Sequence, residues 1–478
     1  MYFSRPPYIL YRDYPDFGYL TDNRNLGYDT ASKSCFKVGD RILSKSGSVF
    51  YSVLTDTPQS IRALSKRLLS VFQGVSMAEI ESDAREFYMD LSRDGFVFCG
   101  EPGVLTSRSD FFSYANRTPL ELEEQGSHVE GSLTIDWGSE YHLARVHVDV
   151  SGLCNERCVH CYIPEAYKRE TMPLEMFKYL LEQCRACGVL NVTISGGEPM
   201  MNPNLRLFIE LCRENNFSVN LLSNLTRLTD DLVQEFIKTP LLSVQTSLYS
   251  MTPEIHDAIT GFRGSFDKTK RAIERLYNND IPMQINCPIM IHNKDTYQDV
   301  LDWAQSMNIE ADSDYMLLGC FDGSCKNLQC RLGLNEIEEI INNEKQMPRQ
   351  AKEHKRELAL NDSICPVCLS SFCVSHTGDV YPCEGWQSFV LGNIKETPLL
   401  QIWEDSPRIQ ELRNLTLEDF PKCRSCEDRD YCSICLIRNV NESIMGSYKD
   451  VNPFFCQIAR VKRRIASPAA FPQECLAE

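Results

Sequence analysis

The sequence lacks several features that would assign it to common classes of protein. No stretch approaches the ~18 uninterrupted apolar residues that span a membrane. The start, MYFSRPPYIL, has neither the charged beginning nor the apolar core of a secretory signal. Positive charge is scarce, since the net charge is −17 at pH 7, whereas phosphate binding needs a basic surface. We therefore expect a cytoplasmic protein that acts on neither nucleic acids nor membranes.

Cysteine, by contrast, is abundant, with 22 residues in a chain of 478. Disulfides are a poor explanation in a reducing compartment, so ligation of metal ions or iron–sulfur clusters is the better one. The distribution is uneven: residues 1–150 hold two cysteines, whereas residues 320–456 hold twelve. These positions direct attention to the middle and the end of the chain.

Residues 144–320 alternate between strand-like and helical patterns. Six apolar runs are typical of buried strands: Arg145–Val150, Asn191–Ile194, Ser218–Leu222, Leu241–Ser247, Met283–Pro288 and Tyr315–Leu318. Helical patterns separate them at Leu174–Cys187, Asn204–Asn215, Thr229–Lys238, Phe266–Asn278 and Thr296–Met307. The alternation predicts an α/β fold with a parallel sheet, and six repeats favour a partial (β/α)6 barrel over the eight-repeat form. The chemistry of such folds lies at the carboxyl ends of the strands.

We interpret residues 1–102 as an N-terminal arm followed by a small winged-helix-like domain. The arm is irregular, with one short strand near Phe17–Leu20. The domain contains a predicted hairpin and two helices. The hairpin strands, Asp40–Leu43 and Val49–Leu54, are joined by the turn sequence SKSG. The helices begin with the N-cap Thr57 and with Ser76. Gly95 closes the second helix.

Three further ranges complete the predicted organisation. Residues 103–143 are polar and acidic and indicate a linker, and residues 321–360 form a connector. Residues 361–478 contain short strands, turns and many cysteines. We expect metal clusters, rather than a large apolar core, to organise this last region.

Two motifs come directly after predicted strands of the barrel. Cys154, Cys158 and Cys161 follow the first strand at the spacing C-x3-C-x2-C, and Gly196-Gly197-Glu198-Pro199 ends the next. A [4Fe–4S] cluster takes four thiolates, so three leave one iron with open positions, as a catalytic metal site requires. The glycines allow close backbone approach, and Glu198 could hold an ammonium group. The alternative is a zinc site with His147 or His160 as the fourth ligand.

On these motifs the chain resembles the radical S-adenosylmethionine (SAM) superfamily. The resemblance implies a catalytic [4Fe–4S] cluster on the three cysteines, with SAM on its open iron. One electron cleaves SAM to a 5′-deoxyadenosyl radical, which takes a hydrogen atom from the substrate, so an electron donor of the flavodoxin or ferredoxin type is implied as well. The implied SAM contacts are His160 near the adenine, Gly196, Gly197 and Glu198 near the methionine, and Ser223, Asn224 and Ser247 near the ribose or carboxylate.

The C-terminal cysteines resemble the SPASM extension of this superfamily. The pattern contains Gly378-x4-Cys383 and then Cys423-x2-Cys426-x5-Cys432, although the step to Cys435 is one residue shorter than usual. The resemblance implies two auxiliary [4Fe–4S] clusters, three in all. Their implied ligands are Cys365, Cys368, Cys383 and Cys435 for the first, and Cys423, Cys426, Cys432 and Cys456 for the second.

Some cysteine roles stay open. Cys373 could replace Cys368, and two zinc sites are an alternative for the whole region, since C-x2-C is also a zinc spacing. Cys320, Cys325 and Cys330 are either unused thiols, a donor to the substrate radical or ligands of an extra cluster. The remaining cysteines in regular patterns are predicted core residues: Cys184, Cys187, Cys212 and Cys287.

The N-terminal domain resembles the peptide-recognition domain of ribosomal-peptide maturases. In that family a leader peptide adds a strand to the sheet of the domain. The resemblance implies a precursor peptide as substrate, with an intramolecular thioether as the first candidate product and a carbon–carbon crosslink or epimerisation as others. Oxidation of a protein or small molecule, as in sulfatase maturation, and a non-catalytic iron–sulfur carrier are the alternatives.

Overall fold

The computed structural model describes residues 1–27, 38–100, 141–238, 242–342 and 363–466. Most of the predicted linker and part of the predicted connector lie outside these residues. Within the described ranges, no helix is both long and apolar enough to cross a membrane.

The N-terminal region holds two small antiparallel sheets and three helices. Its elements, in chain order, are β1 (Tyr2–Ser4), β2 (Ile9–Asp13), β3 (Phe17–Asp22), β4 (Asp40–Ser44), α1 (Lys45–Ser52), β5 (Gln59–Ser60), α2 (Ile61–Leu69), α3 (Met77–Arg93) and β6 (Phe98–Gly100). One sheet has the order β5–β1–β6 and the other the order β2–β3–β4. The first residues are therefore not an irregular arm, because β1, β2 and β3 all pair within these sheets.

The predicted hairpin in this region is wrong. Its first strand exists as β4, but the residues predicted as its second strand fall largely in α1. The Ser44 side chain accepts a hydrogen bond from the Gly47 amide, which starts a helix where the sequence suggested a turn. Ser60, not Thr57, caps the next helix, whereas the predicted start of α3 at Ser76 is confirmed by a capping box with Glu79. The winged-helix resemblance stays a prediction.

A nine-stranded sheet forms the centre of the molecule. Six of its strands are parallel and follow in sequence order: β7 (Arg145–Ser151), β8 (Asn191–Gly196), β9 (Ser218–Leu222), β10 (Leu242–Ser247), β11 (Met283–Asn286) and β12 (Glu310–Asp312). Five of them match the predicted runs, but the sixth is not the predicted Tyr315–Leu318. An edge strand has one partner and needs little apolar surface, so the polar sequence of β12 gave no strand signal.

Helices separate these strands largely as predicted. They are α4 (Leu174–Ala186), α5 (Leu205–Glu214), α6 (Asp230–Lys238), α7 (Pro253–Thr260), α8 (Ser265–Asn278), α9 (Tyr297–Ser306) and α10 (Leu334–Asn342). The short helix α7 was not predicted. It starts with Pro253 at its first turn and ends at Gly261, whose φ of 63° lies in the left-handed region.

The C-terminal region joins the same sheet instead of forming a separate unit. It contributes β13 (Ser371–Val374), β14 (Asp379–Tyr381), β15 (Gly392–Asn393), α11 (Leu399–Asp405), α12 (Pro407–Arg413), α13 (Pro421–Arg424), α14 (Leu436–Glu442) and α15 (Pro453–Ala466). Strand β13 pairs in parallel with β7, from Ser371 opposite Arg145 to Val374 opposite Val148.

The expectation that this region lacks a substantial apolar core is wrong. Phe372, Trp386, Trp403 and Ile409 are buried in one continuous core with the strands and helices of residues 143–341. The many cysteines suggested that metal clusters organise this region. The aromatic residues are scattered along the sequence, and they join the core only because β13 pairs with β7, which is far away in the sequence.

The N-terminal region packs on the loops that follow α4 and α5, at the amino ends of β8 and β9. Arg12 is buried, lies over the Phe217 ring at 4.6 Å, and donates to the backbone oxygens of Asn215 (3.3 Å) and Asn216 (3.1 Å). These oxygens lie at the C-terminal end of α5, where a cation is favoured. Tyr14 adds a buried hydrogen bond to the backbone oxygen of Gly188 (2.8 Å).

The shared sheet makes a testable prediction for Phe372→Ala. Phe372 is 1% exposed, so its truncation should cost about 3–5 kcal/mol. Because β13 pairs with β7, amide hydrogen exchange should speed up in β7 and β8 as well as in β13. The matched control is Leu68→Ala, which opens the separate N-terminal core. Unchanged exchange in β7 in the Phe372 variant would contradict a common sheet.

Candidate active site

A loop at the carboxyl end of β7 carries Cys154, Cys158 and Cys161. Two neighbours fix its backbone. From the end of β8, the Gly197 amide donates to Ser151 O (2.7 Å) and the Glu198 amide to Leu153 O (2.8 Å).

From the other side, the unpredicted helix α7 receives hydrogen bonds from two amides of the loop. Arg157 N donates to Thr260 O (2.8 Å) and Val159 N to Ile259 O (2.9 Å). The loop is therefore held between the GGEP turn and the end of α7. Sequence reasoning missed the second contact because no motif marks it.

The two glycines of the GGEP turn have a steric reason that differs from the predicted one. Gly196 has φ of 130°, and a Cβ there would lie 2.2 Å from Ser151 O. At Gly197 a Cβ would lie 2.6 Å from Leu153 O. Both clashes are with the backbone of the cysteine loop, so the glycines are needed for the approach of two protein segments.

Glu198 is 1% exposed and joins the GGEP turn to the end of β9. Its carboxylate accepts from Ser223 Oγ (2.7 Å), Met200 N (2.9 Å) and Asn224 N (2.8 Å). Burial raises the pKa of Glu198, against the effect of these hydrogen bonds. The predicted SAM-contact residues Ser223 and Asn224 are thus placed by Glu198 itself.

An open cavity of about 1030 Å³, partly continuous with solvent, lies over this arrangement. All ten residues predicted for the catalytic cluster and SAM line it: Cys154, Cys158, His160, Cys161, Gly196, Gly197, Glu198, Ser223, Asn224 and Ser247. The carboxyl ends of β8, β9, β10 and β11 form its wall, as expected for a parallel α/β sheet. Further lining residues that the sequence did not single out include Glu156, Tyr162, Lys168, Gln245 and Tyr249.

His160 is a neutral side chain in this cavity. Burial lowers its pKa to about 4, and a second, smaller effect comes from the charge of His292. Its Nε2 lies 3.4 Å from the Tyr249 hydroxyl, and the two rings meet edge to face with centroids 5.1 Å apart. The pair forms an aromatic corner of the cavity, which suits a flat heterocycle such as adenine.

Glu156 is the most unusual residue that sequence reasoning missed. It lies between the cluster cysteines, is 4% exposed, and its pKa is raised to about 7 by burial and by the charges of Glu198 and Asp257. Its Oε1 atom is buried without a hydrogen-bond partner in the described part of the chain, as is Nδ1 of His160. Unpaired buried polar atoms at a cavity indicate a polar ligand.

The cysteine loop also fits a cluster by its chemistry. Burial raises the thiol pKa of Cys154 to about 11 and that of Cys158 higher still, so a metal must displace protons to bind. By contrast, His147 does not suit the zinc alternative. Its Nε2 lies 3.2 Å from Asp149 Oδ1 and its Nδ1 lies 3.3 Å from Glu384 Oε1, so both ring nitrogens are engaged.

These two carboxylates also explain the charge of His147. Burial alone would lower its pKa, but Asp149 and Glu384 outweigh burial and raise it to about 10. Tyr381 and Gln387 donate hydrogen bonds to the same Asp149 carboxylate. The network links β7 to the C-terminal region.

A second cavity, of about 530 Å³, lies in the C-terminal region. Its lining includes the four cysteines predicted for the second auxiliary cluster, Cys423, Cys426, Cys432 and Cys456, together with Cys435. Burial, followed by the charges of the neighbouring cysteines, raises the thiol pKa of Cys423 and of Cys432 to about 11.

The cysteines predicted for the first auxiliary cluster also lie near one another. Cys435 and Cys365 act electrostatically on Cys383, and Cys365 acts on Cys368. Cys373 lies in β13, and the charges of Cys383 and Cys368 both act on its thiol. Whether Cys368 or Cys373 is the ligand of this cluster therefore stays open. No group of three or more His, Cys, Asp or Glu side chains in the described ranges could hold a single metal ion. A [4Fe–4S] cluster spreads its thiolates over four irons, whereas zinc draws them to one atom.

Seven further cysteines divide into two sets. Cys184, Cys212 and Cys287 are buried as predicted, and Cys187 is half-buried. Cys320 Sγ donates to Cys161 O (3.6 Å), whereas Cys325 is exposed and Cys330 donates to Asn327 O (2.8 Å). These last three thiols therefore have different surroundings.

Comparison with known proteins agrees with this geometry. Residues 148–304 match the model of the radical SAM superfamily, and residues 365–427 match that of an iron–sulfur cluster-binding domain called SPASM. The chain thus carries a radical SAM domain followed by a SPASM domain, which bring SAM and iron–sulfur clusters as cofactors. Sequence relatives include an AdoMet-dependent heme synthase of Methanosarcina barkeri, 25% identical over 63% of this chain and 93% of its own length.

Two further proteins are similar to this chain. The subtilosin biosynthesis protein AlbA of Bacillus subtilis is 26% identical over 69% of this chain and 75% of its own length. The structure of SuiB from Streptococcus suis, solved with its precursor peptide SuiA, has a TM-score of 0.57 and 16% identity, and covers 95% of this chain and 100% of its own. At that identity, the likeness to SuiB concerns the fold.

The close approach of the GGEP turn makes a prediction for Gly197→Ala. A Cβ against two backbone oxygens must displace the cysteine loop, so we expect the reconstituted variant to hold about four irons fewer than the native chain. The control is Gly333→Ala, where the nearest atom to a new Cβ is Glu336 Oε2 at 3.7 Å. Iron analysis and SAM binding measure the outcome, and full iron in the Gly197 variant would refute the steric argument.

Proposed function

We propose that this chain is a radical SAM enzyme that modifies a ribosomally made precursor peptide, with an intramolecular thioether as the first candidate product. The observation that carries the proposal is the single cavity in which three cluster thiols meet the strand ends that carry Glu198, Ser223, Asn224 and Ser247. Bound there, the cluster and SAM supply the removal of a hydrogen atom from a substrate. This chain's residues would hold both in place and limit access of water.

The residues have distinct proposed roles. Cys154, Cys158 and Cys161 hold the catalytic cluster, while Glu156 and Glu198 offer buried carboxylates in the same cavity. The His160–Tyr249 corner takes the adenine. The neutral state of His160 suits this role, because a cation beside the sulfonium of SAM would be unfavourable.

The auxiliary clusters suit a crosslink, because its formation is a net oxidation of the peptide. We assign Cys365, Cys368, Cys383 and Cys435 to one cluster, and Cys423, Cys426, Cys432 and Cys456 to the other. A thioether and a carbon–carbon bond both remove two hydrogens from the peptide. Only the thioether consumes a cysteine thiol, so mass spectrometry with thiol alkylation distinguishes them, and unchanged mass with altered retention would indicate epimerisation.

The extent of the structural likeness to SuiB favours a peptide over a small molecule as the substrate. The structural likeness to SuiB, which was solved with a precursor peptide, extends over 95% of this chain and so includes the N-terminal region. AlbA and a PqqA peptide cyclase of Granulibacter bethesdensis, 22% identical over 58% of this chain and 78% of its own length, carry names that refer to peptide products. Oxidation of a small molecule or protein is the second candidate, supported by the heme synthases.

The first experiment is anaerobic reconstitution with iron and sulfide, followed by dithionite and SAM. We expect about twelve irons per chain and formation of 5′-deoxyadenosine. Cys154→Ala should abolish deoxyadenosine and keep the auxiliary iron, whereas Cys435→Ala should lose iron and block peptide processing. Cys187→Ala, outside both cavities, is the control. About four irons with bound zinc would refute the auxiliary clusters, and a lack of deoxyadenosine even with the precursor peptide would refute the catalytic proposal.

The leader peptide would dock on β4. Among the described strands this one pairs only with β3, and its Ile42 side chain is 58% exposed, so the outer edge can accept another strand. Ile42→Lys should weaken leader binding about tenfold, since a charge replaces an apolar contact. Val71→Lys, at a similarly exposed apolar position of the same region, is the control. Fluorescence anisotropy of a labelled leader measures this, and equal affinities would contradict docking on β4.

A further inference from the structure

One of the proposed cluster ligands differs from the rest in its exposure. Among the eleven cysteines assigned to clusters, all within the described residues, only Cys426 is exposed. It lies just beyond α13, at the surface of the cavity that also holds Cys423, Cys432 and Cys456. A cluster held by these cysteines would therefore have one of its ligands at the protein surface.

The surface around Cys426 carries positive side chains. Lys422 and Arg424 are exposed on α13, and Arg460 of α15 is 70% exposed. The charge of Lys422 acts on the thiols of Cys423 and Cys456, so it lies on the outer side of the same cavity. In the described ranges neither Lys422 nor Arg424 has a carboxylate within ion-pair distance.

The carboxylates of this surface do not cancel its charge. Asp428 pairs with Arg460 and Arg463, and Glu427 pairs with Arg463. Residues 418–430 and helix α15 together carry seven cations against five carboxylates: Lys422, Arg424, Arg429, Arg460, Lys462, Arg463 and Arg464 against Glu418, Asp419, Glu427, Asp428 and Asp430. The net charge of the chain is −17, so this positive surface is a local exception.

A series of close groups connects this surface to the catalytic loop. Cys435 lines the cavity with the outer four cysteines and acts on Cys383, a ligand assigned to the first auxiliary cluster. The charges of Cys383 and Cys161 both act on the Tyr162 hydroxyl. The two proposed auxiliary sites therefore lie next to each other. The one that contains Cys383 also lies next to the cysteine loop that follows β7.

We propose that the surface formed by Lys422, Arg424, Cys426 and Arg460 is the docking site of an acidic one-electron carrier protein. The inference rests on the proposed function, because it requires the iron–sulfur group on these cysteines. One electron leaves the reduced carrier and enters that group, and no further reactant is needed. Opposite charges steer such encounters and raise their rate, particularly at low ionic strength.

A competing explanation is that the cations only balance the negative charge of four thiolates. They would then set the reduction potential of the cluster without affecting the carrier. The two explanations differ in what salt does: steering between exposed charges is screened within about 8–10 Å at 0.1–0.15 M salt, whereas an effect on the cluster potential is internal to the protein.

The test uses the reconstituted full chain and a reduced flavodoxin as the acidic carrier. Anaerobic stopped-flow measures the second-order rate of flavodoxin oxidation for the native chain and for K422E/R424E at several ionic strengths. We expect the variant to react about tenfold or more slowly at low salt, with the difference shrinking as salt rises. R62E/K66E, which reverses two exposed cations of α2, should react like the native chain.

Two outcomes would overturn the inference. One is an unchanged rate in K422E/R424E. The other is a rate change that persists at high salt and follows a shift in the measured cluster potential, which would support charge balance instead. Deoxyadenosine formation driven by dithionite needs no carrier and is measured in parallel. Its absence from the native chain, with the precursor peptide present, would refute the proposed function, while the flavodoxin rates would still report on docking.

Discussion

The pairing of β7 with a different strand on each side is the constraint on which the rest of the structure depends. On one side, β8 brings the GGEP turn against the cysteine loop. On the other, β13 attaches the C-terminal region and, through the following hairpin, Cys383. Because β7 itself ends in the cysteine loop, one strand sets the positions of the three loop thiols, their supporting turn and Cys383.

Close packing around the cysteine loop explains residue types that would otherwise look like ligand contacts. Gly196 and Gly197 leave room for backbone oxygens of the loop, and Glu198 connects the ends of β8 and β9. Contacts within the protein therefore form the cavity wall. Atoms without a hydrogen-bond partner among the described residues, such as Glu156 Oε1, belong to side chains that line this cavity.

The electrostatics of the molecule change from its interior to its surface. Buried thiols have raised pKa values, so they lose their protons only when a metal replaces them. At the surface the chain is acidic, yet cations gather beside the one exposed cysteine of the proposed ligand set. Solvent-exposed charges contribute little to stability, so stability does not explain why these cations lie together. A function is the better explanation for their position.

The sequence by itself determined the cysteine and GGEP motifs and five of the six parallel strands, because short-range spacing and apolar runs encode them. It also predicted those cavity-lining residues that lie at the end of a strand. Only the tertiary structure decided that β13 joins β7, that α7 holds the cysteine loop and that polar Glu310–Asp312 is the sixth strand. These features depend on contacts between residues far apart in the chain, where local patterns carry no signal. Glu156 shows the same limit: its type is visible in the sequence, but its raised pKa follows from burial beside Glu198 and Asp257.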